Sequence, residues 1–275
     1  MTAAMETLRQ ACVAVLLTAG ADAKADAARR LFARWIAGDI MFSADGPEVP
    51  DRPARPARPE LLPPAAMPRR KRAGSPAMRF ALLHALAHIE FNAIDLAVDI
   101  VARWGGAMPR AFTDDWLRIA DEEAQHFAAV QGLLRDGGGE YGDLPAHDGL
   151  WEAAQLTADD LAARLALVPQ VLEARGLDVT PAMIERFEEM EDTAAAAVLR
   201  RILTDEIGHV AAGNRWFREI CAESVTEPSA RFRALVTRLF RGAVKPPFND
   251  SARRQAGLTT EWYTELGAAT PVSKR

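Results

Sequence analysis

The sequence predicts an all-α protein whose centre is a four-helix bundle of two duplicated helical hairpins, with helical extensions at both ends. Three observations lead there. The 49% hydrophobic share is drawn largely from Ala, Leu, Val and Ile, because aromatics make up only 7%. With few alternating apolar runs, that composition favours helix over strand. Glycine and proline punctuate the chain at helix-length intervals, where helices stop. Finally, a pattern of glutamates and histidines recurs at an offset of 83 positions, the mark of an internal repeat. At 275 residues and 26% charged, the chain can bury a sizeable core and is too apolar for wholesale disorder.

Residues 1–42 read as a helical extension anchored by Leu8, Leu16, Leu31, Phe32, Trp35 and Ile36. Ala11 to Gly20 is apolar enough for a signal peptide. However, no basic cluster precedes it and the pattern continues through Lys24, Arg29 and Arg30, so an amphipathic helix and a cytoplasmic protein are expected. Residues 43–75 change character: eight prolines from Pro47 to Pro68 interleave with Arg52, Arg55, Arg58, Arg69, Arg70, Lys71 and Arg72. Repeated proline forbids helix and favours extended chain, which makes this a linker or a strap across the domain.

Residues 76–222 should form the bundle. Ser75-Pro76 caps a helix that runs through Trp104 and stops at Gly105, Gly106 and Pro109. Thr113, with Asp114 and Asp115 behind it, starts a second helix to about Arg135, closed by Gly137 to Gly139. After a connection to Thr157, a third begins at Asp159-Asp160 and reaches about Arg175. Gly176 to Pro181 is the obvious break, with residues 181–190 continuing that helix after a kink and the last long helix ending near Cys221. Residues 223–275 form a C-terminal extension, helical over Pro228–Arg241 and Thr260–Leu266 and broken at Lys245-Pro246-Pro247. Two cysteines, Cys12 and Cys221, supply neither a disulfide framework nor a cysteine-built metal site.

Two Glu-x-x-His motifs carry the chemistry: Glu123/His126 and Glu206/His209. Residues three apart share a helix face, which sets a carboxylate beside an imidazole as metal ligands. Each motif has a glutamate 33 positions upstream, Glu90 and Glu173. The first midpoint, Gly106–Ala107, falls inside the predicted turn and brings Glu90 level with Glu123. The second, Glu189–Met190, is acidic and helix-friendly, so the level of Glu173 is not fixed by the sequence. Pro169, four residues before Glu173, removes a backbone hydrogen bond and predicts a local bulge. Facing hairpins would gather four carboxylates and two imidazoles, a set that repels itself unless cations offset the charge. Hard or borderline ions suit it: two irons first, with manganese or a mixed pair as alternatives. Glu122 and Asp205, each four residues before a ligand histidine, either orient it or face solvent. His84 and His88 align instead with Asn92, Asp95 and Asp99 on another face, which reads as a surface covered by the strap or another helix rather than a second metal site. His147, in a loop, is given no role.

This ligand set resembles the ferritin-like superfamily over residues 76–222. The stretch Ala87-His88-Ile89-Glu90-x-x-Ala93-Ile94-Asp95-Leu96 and the tail resemble a bacterial ferritin-like family of unassigned function. The resemblance implies a di-metal centre that stores iron, forms a radical, scavenges oxidants or activates O2. Tyr141 and Tyr263 both fall outside the ligand helices, against a tyrosyl radical beside the cluster; the long terminal extensions argue against a ferritin shell. No four-cysteine iron site is present to feed a peroxidase. An O2-dependent oxidase or hydroxylase remains, with an unidentified substrate, an external electron donor and room for a homodimer. A non-catalytic bundle with a structural or vestigial site is the alternative, as is a tRNA-modifying hydroxylase, which the paired motifs also resemble. The run Arg69-Arg70-Lys71-Arg72 could touch RNA phosphate, but the chain is acidic and no aromatic interleaves with it. No apolar run reaches membrane-spanning length.

Overall fold

The computed structural model describes residues 5–63, 66–67 and 75–268, and their regular elements are all helices, with no strand among them and two isolated bridges, Thr7 to Met41 and Leu61 to Ala146. No helix among the described residues is long and apolar enough to cross a membrane. The chain divides into two compact units, residues 1–155 and 156–275.

In the first unit, a capping box at Thr7 opens α1 (Leu8–Leu16): the Thr7 hydroxyl accepts from the Gln10 N–H while the Gln10 side chain accepts from the Thr7 N–H. After Gly20, α2 (Ala21–Ala37) ends at Gly38, whose φ of 80° suits a residue without a Cβ. Ser75 caps α3 (Pro76–Trp104), as the sequence predicts. A short turn over Gly105–Ala107, at the predicted midpoint, leads into α4 (Arg110–Asp136). A Cβ on Gly106 would lie 2.6 Å from the Ala44 backbone nitrogen, so the passing strap requires glycine there. The fourth helix starts three residues before the expected Thr113. Pro109 needs no N–H and sits at its cap, and Thr113 is buried inside the helix, its hydroxyl donating to the Gly105 carbonyl. Helix α1 packs on α3 and α2 packs on α4. The Trp35 indole of α2 donates to Asp114 on α4 at 2.7 Å. A short α5 (Gly149–Leu156), which the sequence reading treats as connection, closes this unit.

The strap is held along its described length. Lys24 donates to the Ala54 carbonyl, Arg103 to that of Pro50 and Trp151 to that of Asp51, while residues 60–62 pair with Ala146. The basic run Arg69 to Arg72 lies outside the described residues.

In the second unit, Asp160 caps α6 (Leu161–Leu167), which passes through a π-helical turn over Val168–Glu173 into α7 (Ala174–Glu189). The predicted bulge is this turn. Pro169 cannot donate to the Leu165 carbonyl, and the Gln170 side chain donates to it instead at 3.0 Å. The expected break at Gly176 to Pro181 is absent. Helix α7 runs through Pro181 because the carbonyl it strands, Leu177, accepts from the Asn249 side-chain amide at 3.1 Å. The chain turns at Met190 to Asp192, with Glu191 at a φ of 57°, beside the predicted midpoint. Asp192 then caps α8 (Thr193–Glu223). Helices α9 (Pro228–Leu239), α10 (Asp250–Gln255) and α11 (Thr260–Ala268) complete the unit, with Phe217, Phe232 and Trp262 in edge contact between them. Two glycines of α8 differ in surroundings. A Cβ on Gly213 would fall inside the Pro169 ring, whereas one on Gly208 would meet nothing within 4 Å.

That contrast sets opposite signs for the same substitution. Gly213→Ala should destabilise by about 1–3 kcal/mol through overpacking, and Gly208→Ala should stabilise by up to about 1 kcal/mol through helix propensity. Urea unfolding of the two variants checks this, and equal or reversed signs would refute the packing.

Candidate metal centre

The α3–α4 hairpin brings Glu90 level with Glu123, and both are buried. His126, one turn on from Glu123, presents Nδ1 at 3.4 Å from Glu90 Oε2 and 3.5 Å from Glu123 Oε2. One ligand atom from each of the three residues lies within 4.8 Å of the others. Two carboxylates and an imidazole are therefore packed together out of water. Burial and the neighbouring Glu123 charge push Glu90 up to about 8. Burial works against a charged His126, but hydrogen bonds and charge from Glu123 and Glu90 outweigh it and push the ring up to about 12. In the absence of metal, protons held on Glu90 and His126 offset the buried charge. A divalent cation would take their place and release them. The set fits such an ion by its chemistry: hard oxygens, one nitrogen and no competing buried base.

The second unit carries a second buried Glu-x-x-His pair. Glu206 and His209 are buried on α8, with His209 Nδ1 3.8 Å from Glu206 Oε2, the same ring atom turned to the carboxylate as in the first unit. Glu173 ends the π turn and is half-buried, more open than its counterpart Glu90. The predicted bulge thus sits directly before a candidate ligand.

Glu122 accepts from Arg118 at 2.7 Å through both carboxylate oxygens, and Asp205 lies 3.6 Å from Arg201 Nε. Each has an arginine one turn back on its own helix. Of the small residues near the ligands, Ala87 and Ala124 are fully buried and Gly213 is a close-packing position.

The polar face of α3 is covered, as the sequence reading favours. Arg55 of the strap donates to Asn92, Lys24 of α2 donates to Asp95 at 2.5 Å, and Arg103 forks onto Asp99. His84 Nε2 accepts from the Gly142 N–H, and His88 lies between the Tyr141 hydroxyl and the His147 carbonyl, 2.9 Å from each. His147 thus lends its backbone, and its ring accepts from the Gly149 N–H. Tyr141 calls for a correction. It lies outside the four ligand helices, yet it is buried against α3 and α4, its ring 5.4 Å from Phe91 and 5.5 Å from Phe127, the neighbours of Glu90 and His126. Position along the chain did not reveal this, because the Gly-rich loop folds the tyrosine back.

The fold and this group define an all-helical protein with a buried carboxylate–imidazole cluster able to hold a metal ion. The chain belongs to the family described as "Protein of unknown function (DUF455)", whose model matches residues 17–264. It is 42% identical over 219 residues to an uncharacterized protein of Haemophilus influenzae, covering 75% of this chain and 74% of that one. No solved structure matches it.

Burial lowers the His84 pKa against an opposing pull from Asp143. The unfolded chain binds this proton near 6.5 and the folded chain only at lower pH, so stability is complete above that value and declines as pH falls below it. Between pH 6.5 and 5 the wild-type melting temperature should fall more than that of His84→Gln, by about 2–4 °C. Parallel pH profiles would contradict the assignment.

Proposed function

We propose that this chain is a ferritin-like di-iron carboxylate protein acting as an O2-dependent oxidoreductase with an external electron donor. One observation supports this above the others: each unit repeats an antiparallel hairpin with a glutamate upstream of a buried Glu-x-x-His. Glu90, Glu123, His126, Glu173, Glu206 and His209 would together hold two metal ions. Oxygen-rich ligation with two imidazoles suits iron, with manganese next. When bound, the metal pair would supply O2 reduction and oxidation of a substrate C–H bond.

The chain's own residues set the conditions for that chemistry. Glu90 and Glu123 would provide negative charge to the ion, His126 would give up its proton to ligate through nitrogen, and His209 would supply the second nitrogen. Phe91, Phe127, Ala87 and Ala124 are buried around the first half-site and exclude water from it. Glu173, at the end of the π turn and half-open, is the carboxylate best able to change its mode of ligation.

The test is metal content and O2 consumption of protein purified from iron-replete cells, beside Glu123→Ala and Glu206→Ala. Wild type should carry two irons per chain and consume O2 on reduction. Each variant should lose metal and lower O2 consumption more than about 100-fold, beyond the 10–100-fold typical of outer ligand partners. Helicity should be kept and metal-free Glu123→Ala should stay folded, because Glu90 can ionise beside His126 once the neighbouring Glu123 charge that raises it is gone. Metal-free wild type, with variants that simply unfold, would instead mark the cluster as structural.

A further inference from the structure

The second unit contains a cavity of about 160 Å³ lined by residues of the π turn, α7 and α9 and by residues 243–245, none of them a candidate metal ligand. Val171 and Leu172 of the turn, with Phe232 and Phe240, form its apolar wall, and Arg175 and Lys245 stand at its polar end. A dry apolar cavity of about 150 Å³ accepts a benzene ring, so this one has room for a single ring and little more.

Charge decides what the ring carries. Arg253, also on the lining, is committed to Asp178 through bonds of 2.8 and 2.6 Å, and that pair cancels. Arg175 makes its contacts through Nη1 alone: to the Lys245 carbonyl at 2.9 Å, the Pro247 carbonyl at 3.1 Å and Asp178 at 3.5 Å. Among the described residues, its Nε and Nη2 keep a free pair of donors, the edge that grips a carboxylate with two parallel hydrogen bonds. Lys245 adds a further cation, and the one acid on the lining, Asp178, is already shared by Arg253 and Arg175. Three cations and a single carboxylate leave the lining net positive beside an apolar wall, which favours a small organic anion over a neutral molecule. We propose that this cavity is a binding site for a small aromatic monocarboxylate, independent of the metal reading. Its ring lies against Leu172 and Phe232 and its carboxylate meets Arg175 and Lys245.

Calorimetric titration of the full chain with sodium benzoate, and with benzyl alcohol as the neutral counterpart, tests it. Saturable 1:1 benzoate binding at or below about 1 mM is expected, with benzyl alcohol at least about tenfold weaker. Arg175→Gln and the exposed Lys245→Gln should each weaken benzoate by about tenfold or more, and Leu172→Trp, which fills the cavity, should abolish it. Absence of saturation by about 20 mM overturns the proposal. So does equal binding of benzyl alcohol. Benzoate binding untouched by both Arg175→Gln and Lys245→Gln overturns it as well, because the anion then sits elsewhere, a bound metal included. The two polar substitutions keep the test decisive should Leu172→Trp fail to fold.

Discussion

The constraint on which this structure depends is that charge buried in a helical interior must meet opposite charge. Helix α3 buries Glu90, Asp95, Asp99 and two histidines along one element. Asp95 is met by Lys24 at 2.5 Å and by Arg55 at 3.5 Å, and Asp99 by Arg103. Removing one partner of such a pair would leave an uncompensated interior charge, which costs about 3–5 kcal/mol. These pairings tie the N-terminal helices and the strap to α3. Glu90 is the exception in kind: its neighbours are a second carboxylate and an imidazole, and among the described residues no lysine or arginine is paired with it. A group built that way stays together by holding protons or by holding a cation.

Backbone polarity is handled by the same logic in the second unit. Two prolines stand inside helical chain, and each strands the carbonyl four residues back. Gln170 answers for Pro169 and Asn249 for Pro181. Gln170 also accepts from Asn214 at 3.0 Å, which joins the turn to α8. The π turn is therefore held by side chains as well as by its own backbone bonds, and it delivers Glu173 at its end.

Much of this was legible in the sequence, for local reasons. The Glu-x-x-His spacing puts both groups on one helix face wherever the helix lies. The 33-residue spacing from Glu90 to Glu123 located the first hairpin turn near Gly106, because antiparallel helices of equal rise must turn halfway. The acidic, helix-friendly stretch at Glu189–Met190 carried no break signal for the second turn. What escaped depends on contacts distant in sequence. Pro181 looked like a helix break because its rescuer, Asn249, lies 68 residues further along the chain. Thr113 looked like a cap because the Gly105 carbonyl that holds its hydroxyl is visible only once the turn forms. Tyr141 looked remote because only the folded loop sets it against Phe91 and Phe127. The strap's grip on Asn92 and Asp95 through Arg55 was open to two readings until the partners were known.

The central claim is that the carboxylate–imidazole groups of the two units hold metal, and an anomalous difference map collected at the iron edge from crystals of the full chain tests it most directly. The account predicts two iron peaks per chain, one beside His126 and one beside His209. A map without peaks at these histidines, from protein grown and purified with iron in supply, would contradict it.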